Sequence, residues 1–307
     1  MEIINKIKKG IESKRNSQEF LWKNIIAIKD LVWKTYSKIK EIIWITKIKT
    51  KASLSKGKLP DFIIIGATKC GTSSLYANLK LHPQIEMSPN FLDKYPSGNK
   101  NTKEVRFFSD SRYFNRGIVW YKSLFNKNNK LQGEATPEYI FQISCHKKMK
   151  EIIPKAKLIL LLRDPVKRAY SHYNHMKQEK WNSFSWDKSF EWNIKKEIES
   201  NFKFGELIKK GLYLYQIKNL LKYYSRSKLL IIISEEMEKE PQKVYDKISR
   251  FLGIKESSIK YIPNVHKRTY QNKMKKTTEK KLYQFYAPFN KELFKFLGKD
   301  IPEWKTK

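Results

Sequence analysis

Residues 60–74, Pro60-Asp-Phe-Ile-Ile-Ile-Gly-Ala-Thr-Lys-Cys-Gly-Thr-Ser-Ser74, constrain this chain more than any other stretch. The apolar run 62–65 breaks at Gly66 into a short polar turn, and Gly71-Thr72-Ser73-Ser74 then opens a helical pattern marked by Leu75, Ala77 and Leu79. A strand feeding a glycine-bounded turn and then a helix N-terminus forms a phosphate cradle, because exposed N–H groups and the positive end of the helix dipole both favour an anion. Gly66 and Gly71 have the spacing of the P-loop pattern G-x-x-x-x-G-K-[ST], whose Ser/Thr holds Mg²⁺. Here Thr72 stands in the lysine's place and Lys69 lies inside the turn. The loop suits a phosphate, but it is not the loop of a Mg-ATP enzyme.

From residue 60 onward the pattern alternates strand and helix. Residues 61–66, 157–162 and 228–233 are continuous apolar runs of the kind buried on both faces of a parallel sheet. Helical patterns cover 72–81, 165–179, 205–225, 241–252 (closed by Gly253) and 277–297. This order predicts a three-layer, P-loop-like α/β domain over 59–307, with a central parallel sheet flanked by helices.

Residues 1–58 differ, carrying 15 basic and 5 acidic residues and no proline. Leu21, Ile25, Ile28, Val32, Ile39 and Ile42 follow helical spacing, and Trp22, Trp33 and Trp44 recur every eleven residues. The segment reads as a basic amphipathic helical extension, with 53–58 as linker. Three roles fit it: packing on the catalytic body or a second copy, lying on an anionic membrane through residues 1–50, or binding nucleic acid.

The formal net charge of +34 points to anionic partners, although only 9 of the 64 basic residues are Arg, a bias that an AT-rich genome would also produce. Two cysteines, Cys70 and Cys145, provide no disulfide framework and suit a reducing compartment. With no signal-peptide pattern and no run near the roughly 20 apolar residues of a membrane span, the expected location is cytoplasmic, peripheral to the inner face of the membrane at most.

A second segment, Leu160-Leu-Leu-Arg163-Asp-Pro-Val-Lys-Arg168-Ala-Tyr-Ser171, carries a buried strand to an arginine at its C-terminal end, where open α/β sheets bind ligands. Pro165 suits a helix start. Arg163 can grip a phosphate bidentately, and Ser171 adds a hydroxyl. Taken alone, the same residues also suit a structural cap with ion pairs.

Together the two segments resemble the nucleotide-binding elements of sulfotransferases that use 3′-phosphoadenylyl sulfate (PAPS), nearest to the heparan sulfate N- and 3-O-sulfotransferase branch and its bacterial relatives. The resemblance extends over about 60–300 through Lys103-Glu-Val-Arg-Phe-Phe108, Gly117-Ile-Val-Trp-Tyr121, Gly133-Glu-Ala-Thr-Pro-Glu-Tyr139, Lys210-Gly-Leu-Tyr213 and Phe251-Leu-Gly253. It implies PAPS as co-substrate without a metal, and in-line transfer of a sulfuryl group to a hydroxyl or amine of a glycan or other acceptor. Lys69 would stabilise the leaving oxygen as its charge grows. The backbone and hydroxyls of Cys70, Gly71, Thr72, Ser73 and Ser74 would hold the 5′-phosphate, with Arg163 and Ser171 on the 3′-phosphate and Tyr213 in the cofactor site. Glu104 becomes the candidate base, with Glu134 as an alternative.

The pattern also departs from that branch. Ala135 stands where 3-O-sulfotransferases carry a lysine, and the late cofactor loop has only a positional counterpart, His266-Lys267-Arg268, whose Lys267 and Arg268 would reach the cofactor phosphates. His172 and His175 read as helix-surface or capping residues. Cys70, beside a helix N-terminus where thiol pKa falls, reads mainly as a small filler. A P-loop kinase or NTPase and a non-catalytic polyanion-binding module are the rival readings, and no specific nucleic-acid partner is expected.

Overall fold

Three aliphatic runs without a turn-forming residue become the middle and one edge of a parallel sheet. In the computed structural model, which describes residues 28–29, 31–32, 35–36, 57–88, 103–178, 188–203, 205–256 and 273–305, they are β1 (Phe62–Gly66), β4 (Lys157–Leu162) and β5 (Leu229–Ile233). β1 and β5 are buried throughout, as both-face coverage by helices requires. Two strands that carry polar residues join them: β2 (Ile85–Met87) and β3 (Leu131–Ala135). The sheet order is β2-β3-β1-β4-β5 with every pairing parallel, and the expected α/β architecture is present.

β1 lies between β3 and β4. The chain leaves β1 for the β2–β3 side and later returns to the β4–β5 side, so the strand order switches direction at β1. Open α/β sheets bind ligands at the carboxyl ends of strands at such a switch. Here the three ends belong to Gly66, Ala135 and Leu162, the last residues before the cradle, the 136–141 turn and Arg163.

The helices are α1 (Thr72–Leu79), α2 (Ser111–Phe114), α3 (Gly117–Lys122), α4 (Ser144–Ile152), α5 (Pro165–Gln178), α6 (Phe190–Glu199), α7 (Tyr213–Leu220), α8 (Ser234–Lys239), α9 (Pro241–Leu252) and α10 (Lys276–Leu297). Asp164 caps α5, its Oδ1 accepting the Val166 and Lys167 N–H at 2.9 and 3.3 Å, and Pro165 takes the first position as expected. Gly253 ends α9 in the left-handed region. The helix expected over 205–225 is instead a short 3₁₀ turn, Lys209–Gly211, followed by α7. The N–H groups of Ile208 and Lys209 go to the Glu197 carboxylate at 2.8–3.0 Å rather than to carbonyls one turn back. Gly211 also lies so close to Tyr286 and Pro165 that a Cβ there would fall 2.6 Å from the Tyr286 hydroxyl.

The main core surrounds the sheet. A smaller one joins Val166, Ala169 and Tyr173 of α5 to Phe190 and Ile194 of α6 and to Leu282, Tyr283 and Tyr286 of α10. It fixes α5, and with it Ser171, against the body. In the N-terminal segment, Ile28, Leu31, Val32 and Tyr36 are helical and exposed. No helix among the described residues is long and apolar enough to cross a membrane.

Candidate active site

The cradle turn is shaped by two left-handed residues. Lys69 has φ 68° and Gly71 has φ 86°. Glycine adopts this region freely, whereas a lysine gives up roughly 1–2 kcal/mol there. A lysine kept in a strained conformation points to a side chain required at that place. The N-cap of α1 is Gly71, which has no side chain to accept from the N–H groups of the first turn. A helix start of that kind presents backbone donors to an anion.

The turn is fastened from three directions. Arg163, one residue beyond β4, donates from Nη1 to the Lys69 carbonyl at 3.3 Å. Ser234, directly after β5, donates to the Cys70 carbonyl at 2.6 Å. Thr68 donates to Glu138 at 3.2 Å, and the buried Lys210 pairs with the same carboxylate at 2.9 Å and with Glu206 at 2.6 Å. The expected donor-site residues of strand ends β1 and β4 are therefore physically joined through Arg163 and the Lys69 backbone.

Cys70 and Tyr213 sit beneath this layer. The Cys70 thiol is fully buried, lies 3.6 Å from the Tyr213 hydroxyl, and has its pKa pushed up to about 11 by burial. This reverses the lowering expected at a helix N-terminus: at Cys70 desolvation exceeds the neighbouring positive charges, and the thiol remains a protonated filler. Tyr213, also buried, donates to the Arg163 carbonyl at 2.8 Å and so supports the arginine from below. Ser171 and His172 are buried on α5. His172 is an inward residue rather than a surface one. Burial first, then the positive charges of Lys210, Arg168, Lys69 and His175, hold its pKa well below the ordinary histidine range, so the imidazole is neutral. Lys267 and Arg268 lie outside the described residues.

Two carboxylates stand at the end of β3, in opposite environments. Glu134 is fully buried and accepts from Thr136 Oγ1 at 3.0 Å, from the Tyr121 hydroxyl, and from the Tyr139 hydroxyl at 3.5 Å. Burial raises its pKa to about 7 against these three donors. Enclosed in this way, its carboxylate is shut off from solvent. Glu104 is only partly covered and is held by Arg106 through Nε at 2.9 Å and Nη2 at 2.8 Å. The Arg106 N–H in turn donates to Thr136 Oγ1 at 3.2 Å, which ties the Glu104 loop to the buried Glu134 cluster.

Sequence reasoning did not single out Lys103. Its Nζ donates to the Thr72 hydroxyl at 3.3 Å, at the first residue of α1, so a second ammonium reaches the cradle. The only signal in the sequence was its place beside Glu104. Among the described residues no group of three His, Cys, Asp or Glu side chains is arranged to hold a metal ion.

A parallel sheet ending at its switch point on a helix that starts at glycine, with lysine in the turn and arginine on the adjacent strand end, has the form of a phosphate-binding α/β fold. Residues 59–305 match the family model described as the sulfotransferase domain, and the chain belongs to that family of enzymes. It is 28% identical over 284 residues to the bifunctional heparan sulfate N-deacetylase/N-sulfotransferase 1 of Caenorhabditis briggsae, covering 82% of this chain and 32% of that protein. It is 32% identical over 204 residues to the human bifunctional heparan sulfate N-deacetylase/N-sulfotransferase 3, covering 64% of this chain and 22% of that protein. The chain thus spans a third or less of these relatives. Among solved structures, a sulfotransferase from Alicyclobacillus acidocaldarius superposes with a TM-score of 0.64 at 27% identity, over 80% of this chain and 99% of that one.

Proposed function

We propose that this protein transfers the sulfuryl group of PAPS to a hydroxyl or amine of a glycan-type acceptor. The observation that carries the reading is the joined pair of strand ends, with Lys69 held left-handed in the cradle and its carbonyl gripped by Arg163. PAPS has two anionic ends, a 5′-phosphosulfate and a ribose 3′-phosphate. The cradle with Thr72, Ser73 and Ser74 suits the first; Arg163 and Ser171 suit the second, with Lys267 and Arg268 as further phosphate contacts.

In the transfer, the acceptor heteroatom forms a bond to sulfur as the bond from sulfur to the bridging phosphate oxygen breaks. The electron pair of that bond goes to adenosine 3′,5′-bisphosphate (PAP), and the acceptor proton goes to Glu104. Lys69 offsets the charge that grows on the departing oxygen, which favours the transition state over the ground state. Glu104 is the more accessible of the two carboxylates and is oriented by Arg106, which makes it the better candidate for the base.

The large positive charge suits an acidic acceptor, and the heparan sulfate relatives make a glycan amine or hydroxyl the first acceptor to try. As part of the same proposal, residues 1–58 form a separate basic extension, 59–307 the catalytic domain, and residues 1–50 hold a cytoplasmic enzyme on anionic membrane. The exposed apolar side chains of Ile28, Leu31, Val32 and Tyr36 support such a contact. Deleting residues 1–50 should then release the protein from anionic vesicles.

The first test is thermal protection by PAP, followed by transfer of radiolabelled sulfate from PAPS. Wild type should be protected by PAP and not by Mg-ATP. Arg163→Ala should lose about tenfold to a hundredfold in PAP affinity, the worth of a charge-assisted phosphate contact, while its affinity for adenosine 5′-phosphate changes less. A wild-type protein that PAP does not protect would end the proposal at its first step.

A further inference from the structure

Lys103 occupies a setting that a purely structural lysine has little reason to adopt. Its ammonium donates to the Thr72 hydroxyl at 3.3 Å, at the start of the helix whose N-terminus closes the cradle. Among the described residues no carboxylate forms an ion pair with it, because the adjacent Glu104 turns to Arg106 at 2.8 Å. A half-buried cation beside a neutral hydroxyl and a helix N-terminus is poorly compensated, since burial disfavours the charged form and the helix dipole repels it. Burial accordingly lowers its pKa to about 8, with Glu104 opposing the change and Arg106 adding to it. Lys69 lies on the same cradle. An anion delivered to this point would meet Lys103, the cradle that carries Lys69, and the helix N-terminus together.

We propose that Lys103 is a donor-binding residue whose ammonium, together with Lys69, grips the 5′-phosphate that bears the sulfuryl group. The inference rests on the PAPS reading above and adds to it a second side-chain cation contributed by the Glu104 loop. One loop then carries both the residue that clamps the donor and the carboxylate that receives the acceptor's proton, so donor binding orders the acceptor side.

The test is calorimetric titration of PAP at pH 8, in two buffers of different ionisation enthalpy. Near that pH Lys103 is partly neutral in the free protein, and phosphate binding recharges it, so wild type should take up a fraction of a proton on binding. Lys103→Met should lose that uptake and bind PAP about tenfold to a hundredfold more weakly. Lys103→Arg should retain most of the affinity without the uptake, because a guanidinium does not titrate in this range. If Lys103→Met keeps wild-type affinity and proton uptake while wild type binds PAP, the assignment of Lys103 is overturned and the PAPS reading stands. If wild type binds no PAP, both are overturned.

Discussion

At the cradle, residues 66–74, the groups proposed to bind the donor anion are mainly backbone amides set by β1 and α1, with the turn tied at 2.6 Å to Ser234 and at 3.3 Å to Arg163. Around residues 103–110 the groups proposed to act are side chains on a loop outside the sheet, secured at Thr136 by the Arg106 N–H and at Thr72 by Lys103. The first region gains precision from strand ends that cannot move without disturbing the core. The second depends on a chain of side-chain contacts whose buried end is the Glu134 cluster. Under the proposed reading the fixed region binds the donor and the loop serves the acceptor, with Lys103 reaching from the loop to the donor.

Lys69→Gly separates the backbone amides of the cradle from its side-chain cation. Glycine is at ease at φ 68°, so relief of about 1 kcal/mol of strain offsets a similar backbone-entropy cost, and stability should hold. The turnover number should nevertheless fall about 100- to 1000-fold, the loss seen when a charge-stabilising donor is removed. If turnover survives at saturating PAPS, the amides alone do the work and Lys69 is incidental. On the other side, Glu104→Gln should lower turnover about 100-fold or more through loss of the base, while PAP affinity stays at the wild-type level. An equal fall in PAP affinity would mean that Glu104 serves the donor site, and the division between the two regions would fail.

How far these regions were legible in the sequence follows from their construction. β1, β4 and β5 announce themselves as aliphatic runs, whereas Glu86, Gln132 and Glu134 alternate with apolar or small residues in the short strands β2 and β3, so no continuous apolar run marks them. The places of Lys69 in the turn, Arg163 at the strand end and Ser171 on the helix were legible because each lies within a local strand–turn–helix pattern. The contact of Lys103 with Thr72 joins residues 31 positions apart, and no local pattern records it. The inversion at Cys70 has a similar cause: the helix N-terminus is visible in sequence, whereas the complete burial that outweighs it is a property of the packed fold. The helix read over 205–225 is broken where Leu212 leaves the helical region at ψ 68° and Gly211 lies against Tyr286 and Pro165, contacts set by distant parts of the chain.

The smallest expected effect concerns Glu134, the buried end of the acceptor-side chain of contacts. Its folded-state pKa of about 7 lies above the ordinary 4.5, because burial outweighs the hydroxyls of Tyr121, Thr136 and Tyr139. Between those two pH values the folded protein keeps a proton that the unfolded chain has released. The contribution of Glu134 to stability is therefore fully present below about pH 4.5 and declines as pH rises through about 7. At about 1.4 kcal/mol per pKa unit, the decline totals roughly 3 kcal/mol. Glu134→Gln has a similar shape without the titration. In urea unfolding measured from pH 4.5 to 8, the stability of the variant relative to wild type should rise across that window. Activity should fall only modestly, because Glu134 acts on Glu104 through Thr136 and Arg106 rather than on the substrate. Parallel stability curves would show that the carboxylate stays ionised in its enclosure; a loss of turnover as large as that of Glu104→Gln would return Glu134 to contention as the base.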